Sequence, residues 1–103
     1  MSVLIEFAMF PTDKGESVSS YVSGIIKMID ESGFNFQLTS MGTIIETETL
    51  DEALEIIRKA HSILDSNCNR IYSSIKLDIR KDKTGRLTQK IESIEKKLGR
   101  KLT

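Results

Sequence analysis

Residues 34 to 48 read "FNFQLTSMGTIIETE", two strand-like alternations held apart only by Ser40-Met41-Gly42. A connection this short leaves no room for a crossover, so the two strands must return antiparallel as a hairpin. The rest of the chain has to be arranged around that hairpin.

Upstream, "SVLIEFAMF" alternates Val3, Ile5, Phe7 and Met9 against Leu4, Glu6, Ala8 and Phe10, a strand with one strongly apolar face that Pro11 ends. Val18, Tyr21, Val22, Ile25, Ile26 and Ile29 then recur at helical spacing. Ser17 is the expected N-cap, its hydroxyl accepting a first-turn N–H, and Gly33 the expected C-terminal stop. Within the hairpin, Phe34, Phe36 and Leu38 share one side and Asn35, Gln37 and Thr39 the other. Downstream, Thr49 and Glu52 form a capping-box pattern, and Ala53, Leu54, Ile57, Ala60, His61 and Leu64 line the inner face of a second helix. A fourth strand sets Ile71, Ser73, Ile75, Leu77 and Ile79 against Tyr72, Ser74, Lys76, Asp78 and Arg80. After "KDKTG", Leu87, Ile91, Ile94 and Leu98 mark a third helix with a narrow apolar stripe. The order β-α-β-β-α-β plus a C-terminal helix predicts an α+β, ferredoxin-like four-stranded antiparallel sheet with helices on one face. Residues 1–103 form a single domain on this reading, a size at which one core is adequate.

Composition narrows the function. Fifteen acidic and fifteen basic residues cancel, which removes any global field toward nucleic acid or an anionic membrane. Residues 80–103 carry nine of those basic groups and three acidic ones, a pattern read as a solvated helix face. One cysteine and one histidine offer neither an intrachain disulfide nor metal-ligand spacing. "MSVLIEFAMF" lacks a basic leader and enters strand alternation at once, and no apolar run approaches a membrane span, so a cytoplasmic protein is expected.

With the helices on one side, the opposite face of the sheet should be uncovered: Leu4, Glu6, Ala8, Phe10, Asn35, Gln37, Thr39, Tyr72, Ser74, Lys76 and Asp78. Thr43, Ile45 and Thr47 are placed toward the helices, because the other register would bury Glu46 and Glu48 without partners, so Ile44 and Glu46 join the open face. Such a surface is too apolar to remain in water and too charged to be a plain hydrophobic interface. A face that meets another subunit while enclosing a polar pocket reconciles the two, and an ordinary solvated Glu6–Lys76 pair is the simpler alternative.

The blocks "KGESVSSYV" (14–22), "SMGTIIE" (40–46), "AHSIL" (60–64) and "NRIYSSIKLDIRKDK" (69–83) together resemble the thiamine-binding protein family, small ferredoxin-like proteins related to the YkoF-like group. The similarity spans essentially the whole chain, with Thr47 where many members carry glycine. The resemblance implies a non-catalytic binder of thiamine or its hydroxymethylpyrimidine part, assembled as a homodimer or homotetramer through the sheet faces, with no cofactor of its own. A site for such a ligand wants a flat apolar wall, amides, hydroxyls and a carboxylate. The candidates are Glu6, Gln37, Lys76 and Glu46 on the open face, with Met41 packing on a ring, Gly42 allowing close backbone approach and Thr43 supplying a hydroxyl. Ser17 joins them through the helix N-terminus it caps.

Other residues take structural readings. His61 is expected to pack beside the apolar stripe with Asp65 holding its ring, Arg70 and Arg80 to form surface or interface ion pairs, and Cys68 to be an incidental loop thiol. An enzyme is disfavoured because no nucleophile–base pair or metal cluster is visible. RNA binding is disfavoured because the fourth strand offers only Tyr72 as an exposed aromatic. The main alternative is a structural or regulatory homo-oligomer holding a different small ligand.

Overall fold

The computed structural model describes residues 1–15 and 18–102, apart from the side chains of residues 88–90. The elements follow the expected order: β1 (Ser2–Pro11), α1 (Val18–Ser32), β2 (Asn35–Leu38), β3 (Thr43–Thr47), α2 (Leu50–Asp65), β4 (Ile71–Arg80) and α3 (Arg86–Leu98). The four strands form one antiparallel sheet in the order β2-β3-β1-β4. Ser17 and its expected cap lie outside the described residues.

The core is the β1 alternation closed by two helices. Val3, Ile5, Phe7 and Met9 are buried, and Ile25 and Ile29 of α1 and Ala53, Ile56, Ala60 and Leu64 of α2 pack over them. β3 takes the register in which Thr43, Ile45 and Thr47 face inward, all at most 5% exposed. The capping box at α2 is complete: the Thr49 hydroxyl accepts the Glu52 N–H and Glu52 Oε1 accepts the Thr49 N–H at 3.0 Å. At α1 the chain leaves the helix through Gly33 at φ 83°, the left-handed residue the sequence supplies there.

Three expectations need correction. On α2 the buried stripe is rotated, so Ile56 is in the core while Leu54 and His61 are exposed. His61 keeps only its turn neighbour Asp65, at 3.5 Å. At the hairpin Leu38 is 60% exposed, because it lies at the end of the outermost strand. On β4, Ile75, Leu77 and Ile79 do point to the helix side, opposite buried Phe7, Ile5 and Val3, but they are 43%, 42% and 43% exposed.

The open face departs most from expectation, because α3 folds back across it and packs on β1, β2 and β3. The helix starts at Gly85, which has no side chain to cap it, and a carboxylate from β3 takes that role. Glu46 accepts the Arg86 N–H at 2.9 Å and the Leu87 N–H at 3.1 Å, together with the hydroxyl of Ser2. A negative charge at a helix N-terminus is favoured by the free N–H groups and the helix dipole. The Arg86 side chain, 9% exposed, donates to the Ser2 carbonyl at 2.8 Å, the Asp78 carbonyl and the Ser2 hydroxyl, and pairs with the Asp78 carboxylate at 3.1 Å. Lys96 and Lys97 sit in the last turn of α3, where positive charge suits the dipole. That position accounts for part of the basic C-terminal run.

Removing the guanidinium leaves the Ser2 and Asp78 carbonyls and Glu46 without their cationic partner. Arg86→Met is expected to cost about 2–3 kcal/mol of stability and to expose α3 first. Urea unfolding with hydrogen exchange across residues 86–98 checks both.

Candidate functional site

The register places four of the open-face side chains in one transverse row. Gln37 lies opposite Ile44, Ile44 opposite Glu6, and Glu6 opposite Lys76, so the row crosses every strand. At roughly 4.8 Å per strand it spans about 14 Å. The next row, Asn35, Glu46, Leu4 and Asp78, contains the two carboxylates that hold Arg86 and the start of α3. On the other side of the Glu6 row lie Ala8 with Ser74 and then Phe10 with Tyr72. Those two rings are 5.7 Å apart and tilted by 41°, and Tyr72 is 54% exposed.

α3 therefore divides the face. One part is occupied by the Glu46–Arg86 cluster. The other keeps an exposed carboxylate, a lysine and an aromatic pair around small side chains. Lys76 Nζ stands 3.9 Å from Glu6 Oε1, with both side chains well solvated. A pair this long and this exposed contributes little to stability. At the Gln37 end of the row, a cleft of about 440 Å³ opens between β2 and α3, lined by Phe36, Gln37, Leu87, Ile91, Glu92 and Glu95 among others.

The hairpin residues occupy a different place. Thr39 organises the connection: its hydroxyl donates to the Gly42 carbonyl at 2.8 Å and accepts the N–H groups of Met41 and Gly42. Met41 is 86% exposed at the tip. With Gly42, Thr43 and Leu38 it borders an apolar cleft of about 250 Å³ whose other wall is Phe7, Met9, Val22, Ile25 and Ile26. Gly42 is needed for space: a Cβ there would lie 3.0 Å from the Phe7 carbonyl oxygen. What approaches Gly42 is β1 itself, where a ligand was expected, so the fold will not be indifferent to a side chain at this position.

Of the eight candidates, the structure brings Glu6, Gln37 and Lys76 into one row and Met41, Gly42 and Thr43 around a separate cleft, while Ser17 lies outside the described residues. Glu46, expected to face a ligand, has both oxygens engaged within the protomer. Burial raises its pKa, but the hydrogen bonds from Ser2, Arg86 and Leu87 outweigh that and hold it below the ordinary value of 4.5. Arg86 and the Phe10–Tyr72 pair were not among the candidates. The signal for Arg86 was a helix beginning "TGRL", without a side-chain cap of its own. Among the described residues no group of three or more His, Cys, Asp or Glu is arranged to hold a metal, and no helix is long and apolar enough to cross a membrane.

Two consequences are measurable. Gly42→Ala is expected to lose about 1–3 kcal/mol by crowding β1, read from urea unfolding. Because the Glu46 pKa is depressed in the folded state, its contribution is complete above pH 4.5 and is lost as pH falls through the lower folded value. The melting temperature should therefore fall with acid over that window, and Glu46→Gln should flatten that part of the profile while lowering the plateau near pH 7.

Comparison with known proteins gives a consistent result. The profile of the family described as thiamine-binding protein matches residues 5–95. The UPF0045 protein MJ1052 of Methanocaldococcus jannaschii is 36% identical over 92 residues, covering 89% of this chain and 91% of the relative. A UPF0045 protein of Methanothermobacter thermautotrophicus is 34% identical over 83 residues, covering 80% and 84%. The crystal structure of MJ1052 superposes with a TM-score of 0.78 over 90% of this chain and 95% of that one. A Thermotoga maritima protein, TM0486, provisionally assigned to thiamine biosynthesis or salvage, superposes at 0.79 over 91% and 99%. Its 14% identity shows a shared fold alone.

Proposed function

The chain belongs to the thiamine-binding protein family, and on that footing we propose that it is a non-catalytic, cytoplasmic binding protein for thiamine or its hydroxymethylpyrimidine part, with the ligand held where open sheet faces of two or more subunits meet. The observation that carries this reading is the row Gln37–Ile44–Glu6–Lys76 beside the half-buried Phe10 and exposed Tyr72 pair. Thiamine presents a flat aminopyrimidine and a cationic thiazolium. The exposed ring of Tyr72 offers a stacking surface, Gln37 an amide with both donors and acceptors, and Glu6 a carboxylate for the cation. Lys76 holds that carboxylate in the free protein and yields it to the ligand.

A single protomer leaves the row open to water. A second sheet face laid on it would raise the strength of the Glu6–cation contact by excluding solvent and would cover Ala8, Ile44 and Tyr72. Subunit contact and ligand binding are thus expected to reinforce each other.

The two members of the ion pair make opposite predictions. Glu6→Gln should weaken thiamine binding about ten- to a hundredfold, the worth of one charge-assisted contact. Lys76→Ala should leave affinity unchanged or raise it, since the competing cation is gone. Calorimetry with thiamine on both variants decides it. Equal losses in both would mean that the pair is an interface element, and no heat with thiamine or pyrimidine precursors on the parent protein would favour the structural or regulatory oligomer with another ligand.

A further inference from the structure

α3 parts its charges between two sides. Toward β2, its carboxylates Glu92 and Glu95 line the cleft of about 440 Å³, with Lys101 beyond them. Toward β4, Ser93, Ile94 and Lys97 meet Leu4, Arg80 and Lys83 around a second cleft of about 650 Å³. The Arg86–Asp78 pair completes the lining. A chain with as many acidic as basic residues thus has a concavity lined by four cations and one carboxylate. The basic C-terminal run supplies all four of those cations, so it does more there than solvate a helix face.

We propose that this cleft binds a small phosphate monoester, with the phosphoryl group between Lys83 and Lys97 and the apolar part of the molecule against Leu4 and Ile94. The two arginines are already committed. Arg86 holds Asp78 and two backbone carbonyls, and Arg80 pairs with Asp82 at 3.0 Å. Lys83 lies near Asp82 without forming an ion pair, and Lys97 has no ion pair among the described residues. Two ammonium groups are therefore left for a ligand, and the Ser93 hydroxyl lies beside them as a further donor.

The ligand class follows from charge and shape. A phosphate monoester carries about −1.5 to −2 charges at pH 7 and three acceptor oxygens, which suits two unpaired lysines better than a carboxylate or a sulfate ester does. Lysine holds phosphate as a point charge and needs no fixed fork geometry. The N–H groups that open α3 are taken by Glu46, so side chains must supply the binding. Leu4 and the 40% exposed Ile94 give an apolar surface that a bare inorganic ion would not use. A polynucleotide needs a track of phosphate contacts, whereas this charge is gathered in one cleft. The cleft lies apart from the Gln37–Lys76 row, and the proposal stands whether or not thiamine binds there.

The test is calorimetry on the full chain with phenyl phosphate, which joins a phosphate dianion to a flat apolar ring. The parent should bind it more tightly than inorganic phosphate, which lacks the ring, and than phenyl sulfate, a monoanion of similar shape. Binding should weaken as pH falls from about 7 to about 5, because the ester takes up its second proton near pH 6 while lysine stays charged. Lys83→Gln and Lys97→Gln should each weaken binding about three- to tenfold with an unchanged circular dichroism spectrum. Lys101→Gln, which removes the same charge on the β2 side of α3, should leave it unaltered. Absence of phenyl phosphate binding by the folded parent overturns the proposal. Equal losses in all three variants also overturn it, because net charge alone would then be responsible. Equal affinity for phenyl sulfate overturns the phosphate assignment. Retention on vesicles containing phosphatidic acid without binding of phenyl phosphate would place the phosphate on a lipid and overturn the small-molecule reading.

Discussion

The Arg86 guanidinium, almost fully enclosed, is held by the Ser2 and Asp78 carbonyls, the Ser2 hydroxyl and the Asp78 carboxylate, while its own backbone N–H is held by Glu46. These contacts join the first strand, the third strand, the last strand and the C-terminal helix at one corner of the sheet. Without them α3 has only a narrow apolar stripe: Ile94 is 40% exposed and Leu98 59%. A helix that amphipathic and that short gains little from propensity alone, so the ionic cluster decides where it lies. Its position in turn decides which part of the open face remains for a partner or a ligand.

The fold was legible because its signals are periodic and local. Alternation in β1 and β4, the helical spacing in α1, the short hairpin connection and the Thr49–Glu52 box each specify one element, and their order leaves one familiar topology. The open face of the sheet was legible in its inventory and less so in its assembly. Parity alone puts Glu6, Gln37, Glu46 and Lys76 on one face. Which of them α3 would claim depends on a contact between residues 46 and 86, forty positions apart, and no spacing rule reaches that far. The same limit explains Gly42, whose lack of a side chain looked like room for a ligand and is room for the Phe7 carbonyl. On α2, Leu54 and Ile56 are equally apolar, and only the crossing of α2 over β1 and β3 selects Ile56 for the core.

Both surfaces left unfinished in the protomer are on or beside β4. Its open side contributes Lys76 and Tyr72 next to Glu6 and Phe10, and its helix side contributes a half-exposed apolar strip, Ile75, Leu77 and Ile79. A strand exposed on both sides and along its edge is costly to keep in water. On the proposed reading, a second sheet face laid here would relieve that cost at the same place where a flat, cationic ligand would find its stacking surface and its carboxylate. On that reading association and binding share the open row that β4 closes, while the Arg86 cluster bounds it on the other side.

A backbone-amide NMR titration with thiamine tests this division of the open face most directly. The account predicts that the largest shifts fall on Glu6, Ala8, Phe10, Gln37, Ile44, Tyr72 and Lys76, with the amides of Arg86 and Leu87 little changed because Glu46 keeps them. Shifts centred instead on Val22, Ile26, Leu38 and Met41 would place the ligand in the hairpin cleft and contradict it.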